Sequence, residues 1–474
     1  MFVRSKSCVA FALLVVVLNI AGVRSDPVRE DAHLYRKVRV PEEFLFTRDG
    51  RTFGGDIRVG DLDGDARCDF LVYRCADGAT TGAHAGGMKP CFLGAFDVDG
   101  NVLWRAGEGG RQPARPMSVA VHDFTGDDAA EVVCFWHRPD ENGPAGWTSL
   151  ADVVVQIRDG RTGRVLRQAA PQAITGRKMK GGGPNWVHQR LLIANFRGTE
   201  LPRDLVVKLG DTYVALDDRL NVLWTYRTEW VEYSRCPAYI PSVGDVDGDG
   251  QDELNGGYFV LDSNGRPLWR KRLARNMDSV RMAEWDGGHV RAICSGGGHV
   301  VDADGDVIMK LGEKLVPHGQ EVRVADFRSG HDGPEMVIRW NGHTPAVRVV
   351  SSHTGSQVAE LKLNPSPTNV GMTPVLWNGP DGRALLFNGG WLWDLESGTG
   401  ARLPSLPPAH GAKAHRMAFY HCIAANVAGD ARQEVITWDP TARHVYIYSP
   451  KPVSGSAYSG YKPGPRQYNP RLMD

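Results

Sequence analysis

The sequence shows no excess of charge of one sign. Its 474 residues include 55 lysines and arginines and 55 aspartates and glutamates. A chain with this balance has no general electrostatic attraction to nucleic acid or to an anionic membrane surface. We therefore expect neither of them as a partner.

Long apolar stretches are also missing, except at the amino terminus. Residues 1–25 carry Arg4 and Lys6, then an apolar run over residues 9–17 and a polar end at Ser25. This layout is typical of a secretory signal peptide, and the run is short for a retained membrane anchor, which is the alternative. We expect cleavage near Ser25 and a mature protein that is secreted or periplasmic, monomeric and not held at a membrane.

Cysteine is scarce, and no pair of cysteines has zinc-site spacing with histidines. Seven cysteines remain after Cys8 leaves with the signal peptide, and an odd number leaves at least one thiol unpaired within a chain. Cys68, Cys75 and Cys91 lie close enough in sequence for one disulfide in an oxidising compartment. The glycine run at 181–183 lacks the Lys-Ser/Thr of a phosphate-binding loop.

Glycine, by contrast, is abundant, with 56 residues, which is typical of many turns and short strands. The most informative turn lies at 243–253, where Asp245, Asp247 and Asp249 alternate and Glu253 follows. A tight turn that aims several carboxylates inward suits a hard, oxygen-seeking cation. The flanking residues have strand patterns, so the sequence predicts that this loop joins two strands.

Related turns recur along the chain and define a repeat. Asp61, Asp63, Asp65 and Asp69 repeat the pattern in full. The anchor positions of all the units are 61, 123, 195, 245, 284, 326, 377 and 426, of which 284 and 377 are the weak members. A second signature, a hairpin with Asp and Gly at its tip, follows in each unit, for example at 96–104, 216–224 and 261–269.

Each unit therefore holds about four strands, and the units recur at roughly 40 to 50 residues, the period of propeller blades. The sequence predicts an all-β protein, a β-propeller of eight four-stranded blades, with seven blades as the alternative. We expect the propeller at 51–449, after a signal peptide at 1–25 and an extended segment at 26–50. That segment either crosses the base or completes the last blade, and residues 450–474 form a tail that packs outside or is disordered.

Arginine, histidine and aromatic residues are frequent in the segments that lead into the first strands and in the insertions of the early units. In a propeller these segments meet at one mouth of the central channel. Arg matches carboxylate through two parallel hydrogen bonds, and Trp or Tyr covers sugar faces, so the set predicts a site for an anionic, ring-shaped ligand. The alternative is that such residues only hydrogen-bond backbone groups of neighbouring blades.

The Val-Gly-Asp-x-Asp-Gly-Asp repeats, the Asp-Gly-x-x-Leu-Trp hairpins and the signal peptide together resemble the propeller polysaccharide lyases. The chain is most similar to the eight-bladed rhamnogalacturonan lyases, and also resembles the seven-bladed rhamnose–glucuronate and ulvan lyases. Segments 278–284 and 326–336 are similar to parts of the rhamnogalacturonan group. The resemblance covers about residues 50–450.

This resemblance implies a lyase that cleaves a rhamnose-linked uronic acid polysaccharide by β-elimination. Such an enzyme must neutralise the uronate carboxylate, remove the weakly acidic proton beside it and protonate the leaving oxygen. From position in the repeat, we expect His188 to be the base, with His318 and His421 as alternates.

The other site residues are expected from position as well. Tyr239 or Tyr233 is the expected acid, and Arg235 with Arg190 is expected to hold the carboxylate. The further residues expected to contact substrate are Trp186, His84, His137, His318, His421, Tyr420 and Arg115.

The acidic turns predict calcium, as a structural ion or as a partner of the substrate carboxylate. The expected ligands are Asp61, Asp63, Asp65, Asp69, Asp245, Asp247, Asp249 and Glu253. Asx-type hydrogen bonds without a metal are the alternative for these turns. For the protein as a whole, the alternative is a non-catalytic, calcium-stabilised propeller that binds glycan or protein, because adhesive propellers use similar repeats.

Overall fold

The computed structural model describes residues 33–48, 50–76, 89–111, 118–138, 149–177, 190–230, 238, 241–330, 332–364, 371–406, 421–438, 441, 443–451, 460–461, 463 and 466, with the backbone alone at 190 and 421. These residues form eight four-stranded antiparallel sheets, arranged as an eight-bladed β-propeller with almost no helix. The predicted fold class and blade number are thereby confirmed. The weak units anchored at Glu284 and Trp377 are complete blades, so the seven-bladed alternative is wrong.

Blades 1 to 4 follow one another along the chain, and each sheet keeps its strands in chain order from first to fourth. Their strands are Asp56–Gly60, Asp69–Cys75, Pro90–Phe96 and Val102–Gly107; Val119–His122, Glu131–His137, Val153–Arg158 and Val165–Ala169; Arg190–Ala194, Asp204–Leu209, Thr212–Leu216 and Val222–Arg227; and Ser242–Gly244, Glu253–Asn255, Phe259–Leu261 and Pro267–Arg270.

Blades 5 to 8 continue in the same way, except that the outermost strand of blade 8 comes from the amino-terminal part of the chain. Their strands are Val280–Asp286, His289–Cys294, His299–Val301 and Val307–Lys310; Glu321–Ala325, Glu335–Arg339, Ala346–Ser351 and Gln357–Lys362; Thr373–Val375, Leu385–Asn388, Trp391–Asp394 and Thr399–Arg402; and His421–Ala425, Glu434–Trp438, His444–Ser449 and His33–Arg39. A 3₁₀ turn (Glu42–Phe44), a hairpin (Phe46–Arg48 with Arg51–Phe53) and a short helix (Gln172–Thr175) complete the regular structure of the described residues.

The hydrophobic core lies between the blades. This position explains why the middle strands of each blade are apolar throughout. In blade 1, Phe70 and Val72 pack in one cluster with blade 8, whereas Leu71 and Tyr73 pack in another with blade 2. Successive strand residues point to opposite faces, and both faces are covered here, so a run of consecutive apolar residues is required rather than an alternating one.

In blades 1, 3 and 4, a tryptophan of the fourth strand donates a hydrogen bond to the following blade. The indole nitrogen of Trp224 in blade 3 donates to the carbonyl of Ser263 in the hairpin tip of blade 4, at 2.9 Å. Gly265 of that tip has φ +78°, and a Cβ there would lie 2.6 Å from the indole. Trp104 and Trp269 make the same bond to Gly160 and Asp302 of their following blades. The Asp-Gly-x-x-Leu-Trp signature therefore encodes both halves of a contact between blades.

Both ends of the chain close the ring. The strand His33–Arg39 pairs with His444–Ser449, so the segment before Arg51 contributes the last strand of blade 8. Tyr461 of the carboxy-terminal tail is buried, 4% exposed, in the cluster that joins blades 8 and 1. At the same seam, Trp438 donates to Asp56 across 3.2 Å.

The first strands of neighbouring blades contact each other around the ring and form its inner wall. We call the end where these strands begin, with Asp56 in blade 1 and Glu321 in blade 6, the entry end. We call the opposite end, which carries residues 61–69 and 245–253, the loop end. Because the sheets are antiparallel, connections between second and third strands return to the entry end.

Candidate functional site

The acidic loop of blade 1 brings three of its four predicted ligands together. Carboxylate oxygens of Asp61, Asp63 and Asp69 lie within 4.8 Å of one another. Asp61 holds the turn by accepting the backbone N–H groups of Gly64 and Ala66, both at 2.8 Å. Asp69 accepts the N–H of Leu62 with Oδ2, but its buried Oδ1 has no hydrogen-bond partner among the described residues.

The loop of blade 4 repeats this arrangement. Asp245, Asp247 and Glu253 have carboxylate oxygens within 4.8 Å of one another. Asp245 accepts the N–H groups of Gly248 and Gly250, and Glu253 accepts that of Val246 at 2.9 Å. The two remaining predicted ligands lie farther along the turns: Asp65 accepts the N–H of Arg67, and Asp249 that of Gln251.

The two deepest acids of these loops have strongly perturbed pKa values. Burial, with the negative charges of Asp63, Asp65 and Asp61, raises the pKa of Asp69 to about 8. Burial, with Asp247, Asp249 and Asp245, raises the pKa of Glu253 to about 8. Gathering these carboxylates is therefore unfavourable unless a cation compensates them.

The donor set fits calcium. Calcium binds six to eight oxygens at about 2.4 Å, so two ligands on opposite sides of the ion stand about 4.8 Å apart. The orphaned Oδ1 of Asp69 supplies the clearest sign, because a buried carboxylate oxygen without a partner is costly.

Two other loops carry their own cation at the same position. In blades 1 and 4 the residue two after the anchor is Asp63 or Asp247; in blades 3 and 6 it is Arg197 or Arg328. Arg197 donates to the buried Asp204 at 2.6 Å. In blade 6, burial raises the pKa of Glu335 and the charge of Arg328 opposes this only weakly, because Nη1 of Arg328 donates to the carbonyl of Leu395 in blade 7. In blade 3 the guanidinium of Arg197 therefore supplies a positive charge beside the buried acid.

At the entry end, acid–arginine pairs connect neighbouring first strands. Arg58 binds Asp56 at 2.8 Å within blade 1, and its Nε donates to the carbonyl of Val119 in blade 2 at 2.8 Å. In blade 6, Arg323 pairs with Glu321 and donates to the carbonyl of Met372 before blade 7 at 2.6 Å. For these arginines the structure shows contacts between blades, and an acid-x-Arg pattern at the start of a first strand is the sequence signal that identifies them.

His318 forms a pair with Asp278 at the entry end between blades 5 and 6. Its Nε2 lies 3.0 Å from Oδ2 of Asp278, which is buried, while 31% of the His318 side chain is exposed. The hydrogen bond to Asp278 raises the pKa of His318, against the opposing effect of burial. Asp278, to which the sequence assigned no role, is thus the partner of a predicted site residue.

His137 lies in a buried ion cluster instead of on an open surface. Its Nε2 is 3.2 Å from Oδ2 of Asp152, and Nζ of Lys89 is 2.7 Å from Oδ1 of the same carboxylate. Only 9% of the His137 side chain is exposed. These groups join blades 1 and 2 at the entry end, where the connections between second and third strands begin and end.

The remaining predicted site residues are not described by the structure. His84, Arg115, Trp186, His188, Tyr233, Arg235, Tyr239 and Tyr420 lie outside the described residues. Arg190 and His421 begin the first strands of blades 3 and 8, with side chains that are not described. Their roles stay predictions.

The described part of the chain contains no helix that is both long and apolar enough to cross a membrane. Residues 1–25, where the signal peptide is predicted, lie outside the described residues.

The chain matches a known protein family. The family described as rhamnogalacturonan lyase family 11, C-terminal domain, matches residues 35–144 and 208–457. The matched residues include strands of all eight blades. The gap between the two matched ranges leaves out the third and fourth strands of blade 2, the first strand of blade 3 and most of its second strand.

Two curated relatives come from Bacillus subtilis (strain 168). The rhamnogalacturonan exolyase YesX is 24% identical over 273 residues, which cover 51% of this chain and 44% of that protein. The rhamnogalacturonan endolyase YesW is 23% identical over 428 residues, covering 82% of this chain and 67% of that protein. The chain thus spans less than half the length of the exolyase.

Among solved structures, the rhamnogalacturonan lyase PL11 of Bacillus licheniformis has the same fold. It aligns with a TM-score of 0.65 at 21% identity, over 89% of this chain and 76% of that chain.

Proposed function

The chain belongs to rhamnogalacturonan lyase family 11, and we propose that it is a secreted polysaccharide lyase that cleaves a rhamnose-linked uronic acid polysaccharide by β-elimination. The observation that supports this most is the extent of the family match, which runs from blade 8's outermost strand to the end of the propeller with one gap. The rhamnogalacturonan type is the substrate that the curated relatives favour.

The proposed reaction takes place at the entry end. The bond that breaks first joins hydrogen to the carbon beside the uronate carboxylate, and the electron pair forms a carbon–carbon double bond as the neighbouring glycosidic oxygen leaves. A base must take the proton, an acid must protonate the leaving oxygen, and a cation must hold the carboxylate. We propose Tyr239 or Tyr233 as the acid, Arg235 and Arg190 as the carboxylate ligands, and one of His188, His318 and His421 as the base.

The described residues support the entry end as a rigid platform for this chemistry. Buried acid–arginine pairs fix the first strands of blades 1 and 2 and of blades 6 and 7 relative to each other. A catalytic constellation works only when its supporting groups are held in place. At this end His318 is both partly exposed and fixed by a buried carboxylate.

We also propose that the loops of blades 1 and 4 bind calcium as a structural ion. Asp61, Asp63 and Asp69 in one loop, and Asp245, Asp247 and Glu253 in the other, would hold it. Bound calcium would supply the positive charge that the buried acids lack, while the chain's own hydrogen bonds shape the turn. Isothermal titration of metal-free protein with calcium tests this, and an absence of binding heat would favour turns held by hydrogen bonds alone.

A substrate screen tests the proposed activity. Purified protein is mixed with rhamnogalacturonan, gum arabic or ulvan, and the ultraviolet absorbance of the unsaturated uronate product is followed. We expect a rise with at least one polymer, and with rhamnogalacturonan first. No rise with any of them would reject the lyase; retention of these polymers on affinity gels without cleavage would instead support the glycan-binding alternative.

Export is tested separately. We propose that residues 1–25 are removed and that the mature protein is monomeric and either secreted or periplasmic. Amino-terminal sequencing of exported protein should begin near Asp26, and size-exclusion chromatography with light scattering should give the mass of one chain. A mature protein that still begins at Met1 would contradict the predicted signal peptide.

A further inference from the structure

We propose that His318 is the base of the lyase reaction and that Asp278 is its positioning residue. This inference rests on the proposed function and deepens it, because it selects one of three candidate histidines and gives it a partner.

His318 is held at three points, two on its main chain and one on its ring. Its backbone N–H donates to the carbonyl of Trp340, at 3.3 Å, and its carbonyl accepts the N–H of Gly342 at 2.8 Å. Its Nε2 meets Oδ2 of Asp278 at 3.0 Å. A histidine held at its main chain and at one ring nitrogen has little freedom left, which is what a catalytic group requires.

The carboxylate also decides which ring nitrogen is basic. A carboxylate accepts hydrogen bonds, so the neutral imidazole carries its proton on Nε2 toward Asp278 and a lone pair on Nδ1. No described residue is hydrogen-bonded to Nδ1. Gly342 lies beside it, and a Cβ at that position would stand 3.3 Å from Nδ1. Glycine there leaves open the side from which a proton would arrive.

Other histidines of the described residues have a different environment. His299 and His122 bond backbone carbonyls, of Gly296 and Pro202, and burial lowers the pKa of both. His318 is the one with a carboxylate partner, a partly exposed ring and a raised pKa, and Asp278 is the charged group that acts on it. A histidine needed only for packing would not require that combination.

The proton transfer then balances. Nδ1 of His318 takes the proton from the carbon beside the uronate carboxylate and becomes a cation that Asp278 stabilises. The C–H electron pair forms the carbon–carbon double bond, and the C–O pair leaves with the glycosidic oxygen. That oxygen receives a proton from the acid, for which Tyr239 or Tyr233 is the candidate. The imidazolium returns its proton to solvent after product release.

The test measures kcat and KM across pH for the full mature protein, on the polymer that the wild type cleaves. His318→Gln keeps an amide N–H for Asp278 but has no basic nitrogen, and we expect kcat to fall by about 10²- to 10⁴-fold. His318→Ala serves as a second variant. His122→Asn, at the loop end, is the matched control and should keep wild-type kcat; melting curves establish that each variant is folded.

Asp278→Asn separates positioning from packing. We expect kcat to fall by about 10²-fold, the cost of a misplaced catalytic group, with KM little changed. Because the carboxylate raises the pKa of His318, and the base acts only when neutral, loss of the charge should move the acid limb of the kcat profile to lower pH. A merely structural Asp278 would leave that limb in place.

The outcomes are distinguishable. If the wild type cleaves a uronate polymer and His318→Gln retains wild-type kcat, the inference is wrong and the proposed function stands. His188→Ala is measured beside it: full loss there with an active His318→Gln protein would place the base at His188. If the wild type cleaves no uronate polymer, both the proposed function and the inference fail.

Discussion

Removal of calcium should lower the thermal stability of this propeller by an amount that its two complete acidic loops determine. Each loop gathers three carboxylates within 4.8 Å, including Asp69 or Glu253, whose buried carboxyls lack a compensating charge. A site with free ion at a hundred times its dissociation constant adds about 2.7 kcal/mol to stability, so two sites add about 5.4 kcal/mol. With an unfolding entropy of about 2.1 cal/mol/K per residue, a chain of 474 residues should melt about 5 °C lower in chelator.

Differential scanning calorimetry with calcium and with excess chelator measures this shift, and single variants assign it. Asp63→Asn and Asp247→Asn should each abolish about half of it, because each removes one ligand from one loop. Asp127→Asn in blade 2, where Arg161 already pairs with the acid at 2.8 Å, is the control and should leave the shift intact. A melting temperature that is the same in calcium and in chelator would refute the reasoning.

Three further substitutions test contacts that close the ring, each by urea unfolding of the purified variant. Gly265→Ala should lower the free energy of unfolding more than Gly288→Ala does. Both glycines have positive φ, but only at Gly265 would the Cβ meet the indole of Trp224, at 2.6 Å. Equal losses would contradict a stabilising role for the contact between Trp224 and the next blade. Asp56→Ala leaves the buried Arg58 without its carboxylate and should cost about 3 to 5 kcal/mol, whereas Glu42→Ala breaks an exposed pair with Arg39 and should cost less than about 1 kcal/mol. Tyr461→Ala empties a buried position at the seam of blades 8 and 1 and should lower the free energy of unfolding by about 3 kcal/mol. The exposed Leu315→Ala is the control and should lower it little. An unchanged stability of Tyr461→Ala would mean that the tail does not stabilise the closed ring.

The propeller could be predicted because its signals are local and repeated. The turn at 243–253 and the hairpins at 96–104, 216–224 and 261–269 each specify a short piece of backbone, and their period counts the blades. The weak anchors Glu284 and Trp377 could not decide the number alone, because their turns depart from the Asp-x-Asp-Gly-Asp pattern that marks the clearest units. They form blades since their strands carry the buried apolar residues that neighbouring blades cover, such as Ile293 and Leu386.

Contacts between distant parts of the chain were harder to predict from the sequence. The pairing of His33–Arg39 with His444–Ser449 joins opposite ends of the chain, and the sequence offered this only as one of two placements. The burial of Tyr461 at the seam depends on a cavity made by two blades. Cys68 is a free, buried thiol in the structure, so it takes no part in the disulfide considered among Cys68, Cys75 and Cys91.

In the candidate site, too, local features could be predicted from the sequence and contacts between blades could not. The three-carboxylate groups were predictable because their ligands are close in sequence. The partner of His318 was not, since Asp278 lies 40 residues earlier in another blade. The burial of His137 with Lys89 and Asp152 was also hidden, because it needs two blades side by side. The arginine at the corresponding position of blade 3, Arg197, was visible in the sequence, but its role required the structure, which places it against the buried Asp204.

The distance between the entry end and the loop end of the propeller limits what a calcium ion in the acidic loops could do. In blade 1 the first strand Asp56–Gly60 separates the entry end from Asp61, and five extended residues span about 17 Å. That length exceeds the distance of about 8 Å over which charges act at physiological salt. An ion bound in the loop of blade 1 would therefore stabilise its blade without touching a uronate carboxylate bound at the entry end. Of the two roles expected for calcium, the geometry of this loop favours the structural one, and the substrate carboxylate would then fall to the proposed arginines.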